Sequence, residues 1–146
     1  MRCLLILALA VLGYGFISPV QADFAAVPLD KLVKDAAVIV DGKVTKIENA
    51  GFARGARQFD AAVVQVKAVL KGDAKLKEVR IAQPAVGGLA VSTDIRFKEG
   101  QEGFWLLTKQ ADAKGKEADV YWALHPSQFQ PLGERDKLAK AVKDQK

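Results

Sequence analysis

The sequence predicts a mainly β protein: a small barrel of five strands, with a short helix before it and a second helix at the C-terminus. Three observations carry that expectation. Residues 61–70 alternate strictly, with Ala62, Val64, Val66, Ala68 and Leu70 on one side and Val63, Gln65, Lys67 and Val69 on the other. Residues 37–47 are rich in β-branched side chains, yet Gly42 interrupts them and Ile47 falls out of phase with Val38, Val40 and Val44. A glycine beside a phase slip marks a bulge or a sharp coil, which lets one strand serve two sides of a small barrel. Residues 103–109 are apolar on both faces, Phe104 and Leu106 opposing Trp105 and Leu107, so that strand is covered on both sides.

The remaining elements follow in chain order. Over 28–36, Leu29, Leu32, Val33 and Ala36 share one helical face, and Pro28 suits a first turn. Residues 48–60 carry glycines and arginines without a sustained period and read as a loop. Lys71-Gly72-Asp73 joins two alternating runs, so it is a bend; a phosphate loop would need more glycines and a following helix. Residues 78–83 alternate Val79 and Ile81 inward against Glu78 and Arg80. Residues 84–102 are connection, with a short edge piece at 89–91. Residues 110–119 form a polar hairpin loop around Gly115, and 120–124 are the partner strand, with Val120, Trp122 and Leu124 on one side. Residues 125–133 are irregular. Over 134–146, Leu138, Ala141 and Val142 make a narrow helical stripe, with acidic residues early and lysines late, as the helix dipole favours.

Of the 146 residues, 1–22 read as an export signal and 23–146 as one barrel domain. Arg2 gives a short basic start, an uncharged apolar run follows, Pro19 breaks it and Ala22 ends it. The run is shorter than the roughly 20 residues a spanning helix needs, so no membrane span remains after cleavage. The expected location is periplasmic or secreted. The only cysteine, Cys3, lies inside the signal, which leaves no disulfide, thiolate metal site or cysteine nucleophile. His125 is the sole histidine, so no metal and no cofactor is expected. The net charge of +5 is spread along the chain; it favours weak attraction to anionic surfaces but supplies no nucleic-acid-reading motif.

Three segments carry a likeness to known proteins: Ala36-Ala37-Val38-Ile39-Val40-Asp41-Gly42-Lys43-Val44, then Val66-Lys67-Ala68-Val69-Leu70-Lys71-Gly72-Asp73, then Arg96-Phe97-Lys98-Glu99-Gly100-Gln101-Glu102-Gly103-Phe104-Trp105-Leu106-Leu107. In these the chain resembles exported bacterial domains with an OB-like barrel, related in architecture to netrin and metalloproteinase-inhibitor domains. The inhibitors of that group insert an N-terminal cysteine into a protease, and residues 23–146 contain no cysteine, so that mechanism does not carry over. The resemblance implies ligand binding at the loops between strands 1–2 and 4–5, here residues 48–60 and 110–119.

The candidate ligand-binding residues are therefore Phe52, Arg54, Arg57 and Phe59 in the first loop, and Lys114 and Lys116 in the second. Cations interleaved with aromatics suit an anionic polymer held by charge and stacking; solvated charges with two anchoring aromatics is the plainer alternative. Trp105 and Trp122 read as packing residues, and His125 as a polar cap. The expected function is a non-enzymatic binding or interaction domain, its partner a protein or an anionic polymer. Two alternatives stand beside it: a carboxylate-based hydrolase of the cell envelope using Glu99, Glu102 and Asp94, and an envelope assembly factor docking through its C-terminal helix. No catalytic residue is assigned.

Overall fold

The computed structural model describes residues 24–89 and 91–145; the export signal expected at 1–22 lies outside them. Over the described residues the chain is mainly β with two α-helices, as expected. In order it forms α1 (Leu29–Asp35), β1 (Val38–Arg54), β2 (Arg57–Lys71), β3 (Glu78–Pro84), β4 (Glu102–Leu107), β5 (Tyr121–Trp122), β6 (Phe129–Gln130) and α2 (Arg135–Lys143). The strands make one sheet in the order β5-β3-β2-β1-β4-β6. Among the described residues no helix is long and apolar enough to cross a membrane.

The sheet has six strands rather than five, and it is not a closed barrel. One antiparallel bridge, Thr108 to Trp122, links the edge strand β5 to the residue that follows β4. The sixth strand, β6, lies in the stretch expected to be irregular and pairs Phe129 with Trp105 and Gln130 with Phe104. Two residues are too few to show an alternation, so the sequence pattern could not reveal it. Nor is β5 a hairpin partner of β4. It runs parallel to β3, Ile81 opposite Tyr121 and Ala82 opposite Trp122, while Leu124 points out of the core at 56% exposure.

The coil in β1 is present. Val44 pairs with Val64 and Lys46 with Val63, which leaves Thr45 as an extra residue and returns Ile47 to the core formed by Val38, Val40 and Val44. At Gly42 the two strands approach so closely that a Cβ would lie 2.4 Å from the Gln65 carbonyl oxygen and 2.7 Å from Val64 Cγ1. β2 is less regular than its alternation suggests. Asp41 opposes Ala68 while Gly42 opposes Val66, so β2 carries an extra residue there and its faces exchange. Beyond that point Val69 joins the inner core and Leu70 turns to the helices.

Both faces of the central strands are buried. Val38, Val40, Val64, Ile81, Trp105 and Leu107 fill the concave side. Ile39, Phe104 and Leu106 meet Leu32, Val33, Leu138 and Ala141 of the two helices. α1 is fastened at its C-terminus by Lys71, whose Nζ donates to the carbonyls of Val33 (2.8 Å) and Lys34 (2.9 Å). Lysine at a helix C-terminus satisfies carbonyls that have no partner within the helix. The bend at Gly72 has φ +109, as the turn reading requires.

Residues 48–60 are not a loop. β1 continues to Arg54 and β2 begins at Arg57, joined by a tight turn in which Gly55 has φ +58. A bulge hides the strand period: Asn49 pairs with Asp60 but Ala53 with Gln58, and Gly51 between them has φ +77 with its N–H on Asn49 Oδ1 at 2.6 Å. The expected polar loop at 110–119 contains a 3-10 turn, Gly115–Asp119. The edge piece expected at 89–91 spans residue 90, outside the described residues; Leu89 and Val91 are not in a strand.

Candidate functional site

The far end of the β1–β2 ribbon gathers four of the six candidate residues around a tryptophan. Phe52 stacks on Phe59 with centroids 5.2 Å apart, and both rings meet Trp122 edge-on, at 6.1 and 5.2 Å. Ala50, Ala61, Ala82 and Val120 complete this small core. Arg54 and Arg57 face each other directly across the ribbon, a placement of like charges that costs stability unless each is compensated. Each is. The Arg54 Nε donates to Glu117 at 2.6 Å, and its guanidinium lies 5.0 Å from the Trp122 ring centre. The Arg57 guanidinium donates to Asp94 at 2.5 Å and lies 5.5 Å from the centre of Phe59.

The two lysines are placed differently. The Lys116 stem covers Gly51, within 2.8 Å of where a Cβ would stand, so the 3-10 turn packs down on β1. Lys114 is exposed just before that turn and does not join the cluster. Nearby, Lys109 Nζ sits 4.1 Å from the centre of Tyr121 and donates to the Ala118 carbonyl at 2.5 Å. Burial pushes its ammonium below the usual lysine range, with Asp119 acting the other way.

Beside the cluster lies a cleft of about 300 Å3. Arg57, Phe59 and Trp122 form part of its lining, and Val91, Ile95 and Leu124 give it an apolar side. Val91 and Leu124 are half or more exposed, at 50% and 56%. Two of the lining residues hold a buried N–H that has no partner among the described residues: Arg57 Nε and Trp122 Nε1. Such donors are costly in a folded protein and call for an acceptor. Asp94 organises the wall, since its Oδ1 takes Arg57 and its Oδ2 takes the Val91 N–H at 2.8 Å.

This arrangement limits the chemistry. Stacking of a base or sugar needs an open aromatic face, whereas Trp122 and Phe59 are 7% and 5% exposed, with guanidinium groups and Phe52 against them. Attraction of a polyanion needs uncompensated cations, and both arginines hold carboxylates. What the cleft does offer is a compact recess with an apolar side, lined by two residues whose buried N–H groups lack a partner among the described residues.

The carboxylates considered for hydrolysis are each engaged elsewhere. Glu99 accepts the Ile47 N–H at 3.1 Å. Glu102 lies between Lys67 (3.0 Å) and Lys43 (3.1 Å), and hydrogen bonds from Lys67 first, then Lys43, hold its carboxyl below the usual range. Glu48 is likewise lowered, chiefly by its hydrogen bond to Lys46. Among the described residues no group of three or more His, Cys, Asp or Glu side chains is placed to hold a metal ion. His125 caps a 3-10 turn: Nδ1 accepts the Ser127 N–H at 3.1 Å, and Nε2 meets the Ala25 carbonyl at 3.0 Å.

No model of a known protein family matches the chain, and no curated protein matches it in sequence. The functional reading therefore rests on geometry.

Sequence reasoning put Trp122 with the packing residues and missed the partners Glu117 and Asp94. Glu117 is 63 positions from Arg54 and Asp94 is 37 from Arg57, separations over which no local pattern carries information.

Proposed function

We propose that this chain is an exported binding module of OB-like architecture, and that it recognises a protein partner by taking one apolar side chain, with a neighbouring carbonyl oxygen, into the cleft beside Trp122. The carrying observation is the pair of buried, partnerless donors, Trp122 Nε1 and Arg57 Nε, on residues that line a recess with an apolar side. A peptide carbonyl supplies the missing acceptor, and an aliphatic side chain covers Val91, Ile95 and Leu124. The volume of about 300 Å3 is at the small end of ligand sites, which suits a single anchoring residue of a larger partner.

The OB-like reading draws support from the strand neighbours. β1, β2 and β3 form a meander, β3 is parallel to β5, and β4 lies on the other side of β1. The Thr108–Trp122 bridge, with N–H···O distances of 3.0 and 2.9 Å, brings β5 to the end of β4. On this reading the cleft sits where OB-like domains use strand-connecting loops for ligands. Export is the reading of residues 1–22 and rests on the sequence pattern alone.

The test is selection of a random displayed-peptide library on the purified protein, with affinities of the recovered peptides measured for parent, Leu124→Asp and an Arg54→Ala/Arg57→Ala double variant. The expected result is a shared aliphatic anchor and at least tenfold weaker binding to Leu124→Asp. In parallel, a polyanion such as heparin is titrated at physiological salt. Heparin binding that is tight and collapses in the double arginine variant would replace the peptide reading with the anionic-polymer one.

A further inference from the structure

A second hollow lies on the opposite side of the sheet, where the helices meet the C-terminal end of β2. It has a volume of about 530 Å3 and is walled by Val33, Val69, Leu70, Ala74 and Val142, with Lys34 and Lys71 on its lining. A smaller hollow of about 210 Å3 shares Leu70 and Val142 with it and adds Lys143. Among the described residues, no aspartate or glutamate lines either one.

The charge pattern here differs from that of the first cleft. There, each guanidinium has a carboxylate. Here, among the described residues, none of Lys34, Lys71 and Lys143 makes an ion pair. Of the acids beside these lysines in sequence, Asp35 pairs with Lys31 at 3.4 Å, Asp73 accepts the Lys75 N–H at 2.9 Å, and Asp144 lines a different hollow with Lys137 and Lys140. Lys71 is also held in place. Its ammonium donates to Val33 O and Lys34 O, which uses two of three donors and leaves one for an incoming oxygen. An ammonium fixed in this way loses little freedom when it binds an anion, and that favours affinity.

An apolar floor with lysines and the neutral Gln145 beside it, and no carboxylate among the described lining residues, is complementary to an amphipathic anion. We propose that this groove is a binding site for a long-chain carboxylate, the alkyl chain lying along Leu70 and Val142 and the headgroup meeting Lys71, with Lys34 and Lys143 adding to the field. The two hollows meet at Leu70 and Val142, and the volume of the larger lies within the usual range for small-molecule sites. This inference is independent of the peptide cleft, which shares no lining residue with it.

The experiment titrates the purified protein with dodecanoate below its critical micelle concentration, by calorimetry, beside dodecanol, acetate and vesicles of anionic phospholipid. The variants are Lys34→Glu/Lys143→Glu and the milder Lys34→Gln/Lys143→Gln, all checked for unchanged melting. The expected result is saturable binding of dodecanoate, weakened about tenfold or more by charge reversal and by a smaller factor on neutralisation. Dodecanol should bind at least several-fold more weakly, and acetate not measurably. Absence of dodecanoate binding, equal affinity in the charge-reversed variant, or binding to vesicles alone would each overturn the proposal.

Discussion

Replacing Gly42 with alanine tests the account of why β1 can coil across β2. The added Cβ would stand 2.4 Å from a backbone oxygen, Gln65 O, and 2.7 Å from Val64 Cγ1. Carbon and oxygen in contact need more than 3 Å, so the strands must part by most of an ångström. The obstacle is main chain in the middle of a ladder, where Gly42 pairs with Val66 and Lys43 with Gln65, and cannot swing aside. Overpacking of this kind costs about 1–3 kcal/mol, against which removing a glycine from the unfolded chain returns about 0.4–1 kcal/mol. We therefore expect a net loss of about 1–2 kcal/mol. For a domain of this size that lowers Tm by roughly 4–8 °C. The assay is thermal unfolding followed by far-UV circular dichroism, with Gly133→Ala as the control, because nothing lies within 4 Å of a Cβ built there. Gly133→Ala should change Tm by less than about 2 °C. If Gly42→Ala melts at or above the parent temperature, the close approach of β1 and β2 is not what demands glycine.

Two further substitutions probe electrostatics. Asp94→Ala removes the acceptor for both Arg57 and the Val91 N–H; it should destabilise the protein by about 1–3 kcal/mol, read by urea unfolding, and should increase heparin affinity by freeing the guanidinium. Glu102→Gln tests the pH dependence. Because the folded carboxyl is held below its usual value by Lys67 and Lys43, its contribution is present above the unfolded value and lost as pH falls through the folded one. The parent should therefore exceed Glu102→Gln in Tm at pH 7, with the gap closing below about pH 4 and shrinking in high salt; a gap that widens in acid would contradict the assignment.

The parts of the fold that could be read from the sequence are those with a long, clean period. The alternation over 61–66, the doubly apolar run at Phe104 to Leu107 and the stripe of Leu138, Ala141 and Val142 each lie where the pattern indicates, whereas the extra residue in β2 reverses the faces of Val69 and Leu70. Gly42 and the misplaced Ile47 announced the bulge at Thr45, because a single extra residue leaves a visible phase error. The ribbon over 48–60 stayed hidden for the same physical reason acting more strongly: Gly51 takes a positive φ and the register slips, so no period survives. β5 and β6 are too short to carry one, and their pairings are decided by tertiary contacts. At the site, aromatic and cationic residues in one segment pointed to the right place, since Phe52, Arg54, Arg57 and Phe59 do converge. Which atoms remain free there was illegible, because that depends on Glu117, Asp94 and Trp122 arriving from distant strands and loops.

The claim that the cleft binds a ligand through Trp122 is tested most directly by the indole N–H resonances. The chain has two tryptophans, so a 15N-labelled sample gives two indole signals, assigned with a Trp122→Phe variant. On addition of a selected peptide, the Trp122 signal should move downfield as its N–H gains a carbonyl partner, while that of Trp105, which packs in a different core cluster and does not line the cleft, stays in place. A bound peptide that leaves the Trp122 indole signal where it was in the free protein would contradict the account.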